Sequence, residues 1–415
     1  MKIVLITTPV LELQQDRLEA PLGLLYIASY LKKHNINVEI IDLSGKPESQ
    51  WHIPNGDIYG FTTHSTTYER TLKIKDLAIK VNSKAITVAG GAHASALPQQ
   101  VSNDFDYVVV GEGEKAMLEI ATSMPTKSII IGKPVYDLDL LPYPDYSLVD
   151  IHSYYRSLAG KPCVSILSSR GCPYNCIFCN SITMGAHKPI RYRTVDNVIG
   201  EIETLKSRYK ISSFRFQDDI FGTKTSWLKE FTNKVRPLNI DYRCFARANY
   251  CREPEFVGML AQGGCRHVSI GVESGSSKIL EAMGKDQTVE DIREGIIQAK
   301  ASGLIVRVYL IVGYPGETWD TIHETIDLML TCRPHEYIVY PLIPYPGTPL
   351  FQNPSMYGIR IIDYDFSKYF QVYGNRQAHF VYELGNVSSA TLEKMRHYMI
   401  ERLAELKWSG ESNFI

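Results

Sequence analysis

Short apolar segments alternate with longer amphipathic segments through the first third of the chain. The short segments have the length of a strand and lie at 2–7, 37–41, 58–62, 85–89 and 107–110. Between them, residues 21–34 and 68–81 have the apolar spacing of helices. Strands that are apolar throughout and separated by helices indicate a parallel sheet covered on both faces. We therefore predict a doubly wound, Rossmann-like domain of roughly flavodoxin-like layout over residues 1–130.

A proline-rich and aromatic segment separates this alternation from a second one with a longer period. We interpret residues 131–160 as a linker that ends the first domain. The strands predicted after it lie at 164–167, 213–217, 241–245, 267–272, 305–312 and 337–342, and the helices at 195–207, 224–235, 253–262, 289–301 and 318–330. Six strands with crossover helices can curl into a partial (β/α)6 barrel of the TIM type, here over residues 161–350. The predicted fold class is thus α/β, with a small α-rich extension at 351–415 that includes a helix at 390–407.

The composition allows a well-buried core and gives the chain no strong overall charge. Of the 415 residues, 44% are hydrophobic and 21% are charged, and the formal net charge is −1. A charge so close to zero argues against a nucleic-acid partner. The apolar run at 2–7 is too short to span a membrane and is followed by no cleavage-site pattern, and no other run approaches roughly 18 apolar residues. We therefore expect a cytoplasmic protein with no membrane partner.

Three cysteines carry the strongest chemical signal in the chain. Cys172, Cys176 and Cys179 are spaced C-x-x-x-C-x-x-C just after the first barrel strand, at the end where such barrels place their chemistry. Three thiolates can hold three irons of a cubane cluster and leave the fourth iron open to a substrate or cofactor. The alternatives are a zinc site, which usually takes four ligands, and disulfides, which suit small secreted scaffolds. We expect the other five cysteines to be buried free thiols.

Acidic residues end two of the later barrel strands and are predicted to lie at the same mouth. Asp218 and Asp219 end the second strand, so that one carboxylate points into the barrel and the other away from it. One of them could anchor a cationic group such as an amine, or the pair could cap the next helix. Glu273, followed by Ser274, could accept hydrogen bonds from a ribose or an amino group, or could be a solvated glutamate at a helix start.

Two arginines and a glycine complete the candidates at the barrel mouth. Arg247 follows the third strand and could pair with a carboxylate. Arg191 follows the cysteine loop and could serve the ligand or only brace the loop. Gly313 follows the fifth strand and would let a planar ligand approach the backbone closely, although Gly-Pro turns are common.

The first domain has a candidate site of its own at the carboxyl ends of its strands. The residues concerned are Thr66 in a polar cluster after the third strand, Gly90, Gly91 and His93 after the fourth, and Gly111 and Glu112 after the fifth. Parallel sheets bind ligands at this end, and the glycines favour a bulky ligand lying close to the backbone. Ordinary tight turns are the alternative. Because no G-x-G-x-x-G follows the first strand, a dinucleotide is disfavoured.

Several motifs together resemble a known family. The segments RGCPYNCIFC, FQDDIF, GVESGS with a following M-x-K, and IVGYPGET are similar to the radical S-adenosylmethionine (SAM) superfamily. The upstream segments PLGLLYIASYLKK, GGAHASALP and DYVVVGEGE resemble the cobalamin-binding domain of the cobalamin-dependent branch of that superfamily. The resemblance covers roughly residues 1–350, and the combination of motifs is far more specific than any one of them.

The resemblance implies a set of cofactors and contacts. The three cysteines would bind a [4Fe-4S] cluster, and SAM would chelate its open iron and be split to a 5′-deoxyadenosyl radical. Phe178 would lie near the adenine, the acids at Asp218 near the SAM amino group, and Glu273 at the ribose or amino group. An external electron donor of the flavodoxin or ferredoxin type would reduce the cluster. The resemblance assigns no catalytic acid, base or hydrogen donor.

One departure from the family pattern bears on the reaction. Cobalamin domains that ligate cobalt through histidine carry D-x-H-x-x-G after the first strand, and here the loop reads TTPVLELQQD. Neither His64 nor His93 matches that motif, so we expect cobalamin without a histidine lower ligand. A weak or missing lower ligand makes methyl-bearing cobalt a better donor to a carbon radical. The leading hypothesis is therefore methylation of an unactivated carbon of a small molecule or peptide, through the deoxyadenosyl radical and methylcobalamin.

Other readings stay open. The enzyme could catalyse cyclisation, ring rearrangement or oxidation, or its first domain could have lost cobalamin. A methylthiotransferase acting on transfer RNA is disfavoured because residues 1–150 contain no cysteine, and a non-enzymatic sensor would not need an open cluster. The substrate cannot be read from the sequence. The aromatic-rich C-terminal segment, with Tyr364, Phe366, Tyr369, Phe370, Tyr373, Arg376 and His379, could line its pocket or simply pack on the barrel.

Overall fold

A computed structural model describes residues 1–10, 15–182, 189–370, 380–385 and 387–404. The N-terminal part holds a parallel sheet of six strands in the order β2-β1-β3-β4-β5-β6. Its elements are β1 (Lys2–Thr7), α1 (Leu22–Lys33), β2 (Asn37–Asp42), β3 (Ile58–Thr62), α2 (Tyr68–Val81), β4 (Ile86–Gly90), α3 (Ala92–Ala96), α4 (Pro98–Val101), β5 (Tyr107–Gly111), α5 (Gly113–Ser123) and β6 (Ile129–Gly132). The doubly wound layout with flavodoxin-like order is confirmed. The sixth strand continues the sheet past residue 130, where the sequence predicted a linker.

The alternation of side chains along β1 explains why helices cover both faces of this sheet. Ile3 and Leu5 are buried in the core that includes residues of α1 and α5. Val4 and Ile6 point the other way, into a second core that includes Ile74 of α2. Successive residues of a strand face opposite sides of a sheet, so a strand apolar at every position needs a helical layer on each side.

The second sheet curls into the partial barrel. Its strand order is β15-β14-β13-β12-β11-β8-β7, and all neighbours run parallel except the edge pair β7 and β8. The elements are β7 (Ser157–Leu158), β8 (Lys161–Ile166), β9 (Ser169–Arg170), β10 (Arg191–Tyr192), α6 (Val195–Tyr209), β11 (Ser213–Phe216), α7 (Thr225–Val235), β12 (Asp241–Ala246), α8 (Ala248–Cys251), α9 (Pro254–Gln262), β13 (Cys265–Glu273), α10 (Ser277–Ala282), α11 (Val289–Ala301), β14 (Ile305–Val312), α12 (Trp319–Cys332) and β15 (Glu336–Pro341). Six parallel strands with crossover helices confirm the predicted (β/α)6 architecture.

Local sequence signals start the barrel helices. Thr288 and Thr318 form capping boxes with Asp291 and Thr321, which satisfies exposed backbone N–H groups at the starts of α11 and α12. Alternate strand residues such as Phe214 and Tyr242 are fully buried in the apolar core. Their neighbours along the strands form a more polar interior, described below.

A C-terminal extension completes the chain. It contains α13 (Pro349–Gln352), β16 (Ile359–Ile361), β17 (Tyr382–Leu384) and α14 (Ser389–Leu403), and β16 pairs with β17 in an antiparallel two-stranded sheet. The extension is thus helical as predicted but also carries a small sheet. Within the described ranges, no helix combines the length and the apolar character needed to cross a bilayer.

Candidate functional site

The three cysteines lie on one loop whose neck is a short hairpin. Strands β9 and β10 pair antiparallel, with Arg170 opposite Arg191, and the loop that they enclose carries Cys172, Cys176 and Cys179. The backbone N–H of Ile177 donates to the carbonyl of Met283 at 3.2 Å, which fastens the loop to the segment after α10. The loop therefore lies at the carboxyl end of the barrel, as the sequence predicted.

The thiols of this loop sit in an environment suited to metal ligation. Cys176 is buried, Cys172 and Cys179 are partly exposed, and all three are free. A guanidinium nitrogen (Nη1) of Arg247 lies 3.8 Å from the Cys176 sulfur. Burial raises the pKa of Cys172 and of Cys179, and the charges of Asp219 and of other cysteines in the loop raise it further. Bound metal would relieve this mutual repulsion.

The three thiols can be compared with the ligand sets of a zinc ion and of an iron–sulfur cluster. Zinc needs ligands that converge on one point, usually four of them. In the described part of the chain, no group of three or more His, Cys, Asp or Glu side chains converges in that way. A cubane cluster takes one thiolate for each iron and so spreads its ligands apart. Three free thiols on one loop can each ligate one iron, which fits a [4Fe-4S] cluster with one open iron.

The two acids that follow β11 have different surroundings. Asp218 is 1% exposed, and its carboxylate accepts hydrogen bonds from the Ser168 hydroxyl at 2.7 Å and the Ser169 hydroxyl at 2.5 Å. Burial raises the pKa of Asp218 to about 6, against the effect of these donors. Asp219 lines the large cavity described below and accepts from the Ser181 hydroxyl at 2.8 Å. Asp218 therefore braces the turn before the cysteine loop, and Asp219 is the acid of the pair that faces the cavity.

Glu273 forms an ion pair with Lys285, the lysine of the M-x-K motif. The Lys285 ammonium lies 2.7 Å from the Glu273 carboxylate, and both side chains are largely buried. The same ammonium lies 5.9 Å from the centre of the Phe178 ring. A Cβ at Gly271 would come within 2.4 Å of the Glu273 carboxylate, so only glycine leaves room for the pair. Glu273, Lys285 and Phe178 are thus brought together beside the cysteine loop.

Arg247 contacts backbone carbonyls as well as the sulfur of Cys176. Its guanidinium donates to the carbonyls of Lys285 and Asp286, the latter at 2.9 Å. It also lies over the ring of Tyr174, 3.5 Å from the ring centre. Arg247 therefore ties the cysteine loop to the segment that carries Lys285, and it pairs with carbonyl oxygens where the sequence suggested a carboxylate.

Protein atoms already occupy the surroundings of Gly313 and Ser274. The Gly313 carbonyl accepts from the Tyr382 hydroxyl at 2.6 Å, and its N–H donates to Glu317 at 2.5 Å. What approaches this glycine closely is the C-terminal extension, in place of the planar ligand that the sequence suggested. Ser274 is buried, and its hydroxyl lies 3.3 Å from that of Thr325 and accepts from the Ser276 N–H. Its contacts are those of a structural residue.

One cavity of about 780 Å³ opens between the two domains. Its size is within the range of about 300–1,000 Å³ that is usual for cofactor and ligand pockets. The barrel contributes Ser165, Gly171, Gln217 and Asp219 to its wall, and the N-terminal domain contributes the carboxyl ends of its strands. The cavity therefore joins the loop that carries the cysteines to the ligand-binding edge of the first sheet.

Glycines and apolar side chains form the N-terminal wall of this cavity. Gly90, Gly91 and Gly111 line it, together with an apolar slot formed by Leu5, Gly60, Val88, Val109 and Met117. Gly91 and Gly111 have φ values of 102° and 86°, which favour glycine. At Gly90 the nearest atom to an added Cβ would be 3.9 Å away, so its open side faces the cavity. A wide glycine edge above an apolar slot fits a large flat group with an appended tail, as cobalamin is.

The histidines of the first domain differ in position. His64 lines the cavity. His93 is fully buried and is not among the lining residues; its Nδ1 lies 3.0 Å from the Ser65 hydroxyl, and burial lowers its pKa to about 4. Thr66 lies on the adjacent turn and is likewise not a lining residue. The expectation of no histidine lower ligand thus stays a prediction, and it now concerns His64.

The aromatic residues of the C-terminal extension mainly pack. The ring of Phe366 lies 5.5 Å from that of His93, so the extension touches the first domain. Tyr369 is fully buried, and Tyr364 is 65% exposed. Phe370 is partly buried, and Tyr373, Arg376 and His379 lie outside the described residues.

Glu19 is a residue of the site that sequence reasoning missed. It lies in the loop before α1, yet its carboxylate reaches into the barrel and lines the cavity. It accepts from Arg156 at 2.6 Å, from the Ser165 hydroxyl at 2.5 Å and from Arg215. Burial opposes its ionisation, but the charges of Arg215 and Arg156 win and lower its pKa to about 2. No motif or periodicity marks Glu19, because its partners are more than a hundred residues away.

The barrel interior beside Glu19 is polar and rich in arginine. Arg307 pairs with Glu336, and Arg243 donates to the Ser269 hydroxyl at 3.3 Å. Burial and the charge of Arg215 lower the pKa of Arg243 to about 10. Above them, the rings of Tyr309 and Tyr340 stack with centres 5.9 Å apart. The barrel mouth thus lies next to a polar interior in which arginine side chains contact acidic and hydroxyl groups.

The fold and the site together define an enzyme with two cofactor domains. Residues 17–121 match the family model of the B12 binding domain, and residues 166–329 match that of the radical SAM superfamily. The chain belongs to the radical SAM superfamily, in the group that joins a B12-binding domain to the radical SAM domain. The resemblance seen in the motifs is confirmed, and so are the cofactors that it implied: a [4Fe-4S] cluster, SAM and cobalamin.

Similar proteins cover most of both domains. The chain is 28% identical over 362 residues to a protein of Pyrococcus horikoshii named an uncharacterized methyltransferase, covering 80% of this chain and 78% of that one. It is 25% identical over 384 residues to an anaerobic magnesium-protoporphyrin IX monomethyl ester cyclase of Rubrivivax gelatinosus, covering 84% and 68%. Both matches run across the B12-binding and the radical SAM parts.

A solved structure shares the fold. TsrM from Kitasatospora setae, a radical SAM methyltransferase determined with cobalamin and a [4Fe-4S] cluster bound, superposes with a TM-score of 0.65 at 20% identity. The match covers 84% of this chain and 76% of TsrM. At this identity the likeness establishes the arrangement of the fold alone.

Proposed function

We propose that this protein is a cobalamin-dependent radical SAM methyltransferase that methylates an unactivated carbon of a small molecule or peptide. The observation that carries the proposal is the single cavity of about 780 Å³ with a wall from each domain. A methyl donor and a radical generator act on one substrate only if they share one chamber. The relative named a methyltransferase supports the same reading.

Different groups of residues would bind the different cofactors. Cys172, Cys176 and Cys179 would hold the cluster, and the apolar slot with its glycine edge would hold cobalamin. When bound, the reduced cluster with SAM supplies a 5′-deoxyadenosyl radical and the cobalamin supplies the methyl group. Asp219 faces the cavity beside the cysteines, where a carboxylate can accept from the amino group of SAM. The Glu273–Lys285 pair presents one acceptor and one donor next to Phe178.

The cluster needs an external electron, and we propose a donor of the flavodoxin or ferredoxin type. Cys172 and Cys179 are only partly buried, so an outside protein can approach the loop. The support is chemical: reductive cleavage of SAM consumes one electron for each radical, and the chain has no second cysteine motif for a further cluster.

The first test uses methyl-labelled SAM. Reconstituted protein with cobalamin, reductant and labelled SAM should place label in the cobalamin pool before any substrate is known. The control is Glu119→Gln, an exposed change on α5, which should behave as wild type. No label in any cobalamin species, with cluster and cobalamin both bound, would contradict methyl transfer.

A second candidate function is a radical reaction without methyl transfer, such as ring formation. It is favoured by the relative named a cyclase, at an identity close to that of the methyltransferase. The two functions differ in stoichiometry. Methyl transfer consumes two SAM for each product and releases S-adenosylhomocysteine, whereas the alternative releases none. Measuring S-adenosylhomocysteine against 5′-deoxyadenosine therefore separates them.

A further inference from the structure

Two arginines face each other at the neck of the cysteine loop. Arg170 and Arg191 are direct partners in the β9–β10 hairpin, one just before the loop and one just after it. Like charges directly opposite on paired strands repel, and both side chains are largely buried, at 17% and 6% exposure. Anions beside the neck would offset this repulsion.

The first domain provides those anions from one short segment. Glu112 accepts from Arg191 at 2.5 Å and lies 3.4 Å from Arg170, and Glu114 accepts from Arg170 at 2.6 Å. Both acids belong to the GEGE segment at the end of β5 and the start of α5. Two arginines of the barrel are thus balanced by two glutamates of the B12-binding domain.

Further contacts make the network rigid. The Val135 N–H donates to Glu112 at 2.8 Å, and the Val135 carbonyl accepts from Arg191 at 2.7 Å. The Arg170 guanidinium lies 5.2 Å from the ring centre of Tyr26, on α1. An arginine that engages two partners in a fixed fork loses little freedom with each further hydrogen bond. The neck, the linker and the first domain therefore form one unit.

The network lies in the wall of the shared cavity. Gly111, Glu112 and Glu114 line it from the first domain, and Arg170 and Arg191 line it from the neck. The GEGE segment follows β5 at the edge of the first sheet where cobalamin would bind. The β9–β10 hairpin encloses the loop with the three cysteines that would hold the cluster. The two cofactor sites are therefore connected through these four side chains.

We propose that Glu112 and Glu114 are positioning residues that fix the separation and orientation of the cluster and the cobalamin by clamping Arg170 and Arg191. Their side chains need not touch either cofactor to do so. The proposal requires both cofactors to bind but does not depend on methyl transfer. Failure of the labelling experiment would leave it standing.

Pulsed dipolar EPR of the holoenzyme tests this role. Both the reduced cluster and cob(II)alamin carry unpaired electrons, so the distance between them can be measured directly in wild type and in Glu112→Gln, Glu114→Gln and the double variant. Glutamine keeps the shape of the side chain and removes its charge. The matched control is Glu119→Gln on the exposed side of α5.

Wild type and the control should give one narrow distance distribution. The glutamine variants should bind iron and cobalamin in wild-type amounts but give a broader or shifted distribution, most strongly in the double variant. An unchanged distribution in variants that hold both cofactors would overturn the proposal. If the double variant fails to hold a cofactor, Glu112→Gln alone decides in the same way, because it leaves the Glu114–Arg170 pair intact.

Discussion

The two walls of the cavity are built on different principles. The wall from the first domain offers glycine backbone and apolar side chains, such as Gly90, Val88 and Met117. The wall from the barrel offers polar and charged side chains that already have partners, such as Arg170 with Glu114 and Asp219 with Ser181. We expect the apolar slot of the first wall to select a ligand by shape, and the barrel wall to hold polar groups at set positions. The acids Glu112 and Glu114 also belong to the first wall, where arginines of the second wall pair with them. The difference suits a bulky resident cofactor on one side and polar chemistry on the other.

The largest effect is expected on the barrel side, from loss of a cluster ligand. Cys172→Ala should abolish cluster binding, measured as iron and acid-labile sulfide after reconstitution, and with it all SAM cleavage above background. Cobalamin binding should persist, since its wall lies in the other domain. Cys332→Ser, outside the loop at the end of α12, is the control. A variant that retains full iron content would show that Cys172 is not a ligand.

On the opposite wall, bulk should matter more than charge. Gly90→Leu fills the glycine edge without a backbone penalty, because Gly90 is not among the residues with positive φ. Overpacking costs about 1–3 kcal/mol, which is roughly a 5- to 150-fold rise in the Kd for cobalamin. SAM cleavage should be unaffected. Gly258→Leu, at a glycine with open space around its Cβ position, is the matched control; equal losses in both variants would refute the shape-based reading.

Glu317, a buried glutamate between β14 and α12, should make the stability of the fold depend on pH. Burial raises the pKa of Glu317 to about 7 from its ordinary 4.5. The folded state holds this proton more tightly, so the free energy of unfolding falls as the pH rises from about 4.5 to 7. At about 1.4 kcal/mol for each pKa unit, the loss is roughly 3 kcal/mol.

Urea unfolding across this pH range measures the effect. Glu317→Gln should show a flatter pH dependence than wild type, while the exposed Glu255→Gln should follow wild type. Parallel curves for Glu317→Gln and wild type would mean that this carboxyl does not hold its proton in the folded state.

The smallest effect is expected at His64, the histidine of the shape-selecting wall. If cobalt has no histidine lower ligand, the EPR spectrum of bound cob(II)alamin should lack nitrogen splitting from the protein, and His64→Ala should leave it unchanged. Loss of such splitting in the variant would make His64 a ligand. Such a result would show that the first-domain wall supplies a metal ligand in addition to its apolar surface.

The sequence predicted the architecture because strands and helices depend mainly on residues that are close together in the chain. The strands and helices follow from apolar periodicity, and Ile305–Val312 and Tyr68–Val81 match the predicted bounds. The strand-end glycines could be placed at one edge because parallel strands share it. The role of Asp218 could not be assigned, since which acid of an adjacent pair is buried depends on the turn that packs on it. The position of Glu19 and the packing of Tyr382 on Gly313 depend on partners distant in sequence. Apolar periodicity gives no information on such contacts.

The position of Glu19 has a consequence for biosynthesis. Domains generally fold from the N-terminus as the chain is made, so the first domain can form before the barrel exists. Glu19 then faces water, and its partners Arg156, Ser165 and Arg215 emerge only later. The contacts of Glu19 in the cavity wall can therefore form only after β11, the second parallel strand of the barrel, has been made. Cobalamin that enters earlier would meet an open half-site, and the newly made barrel would then close over it.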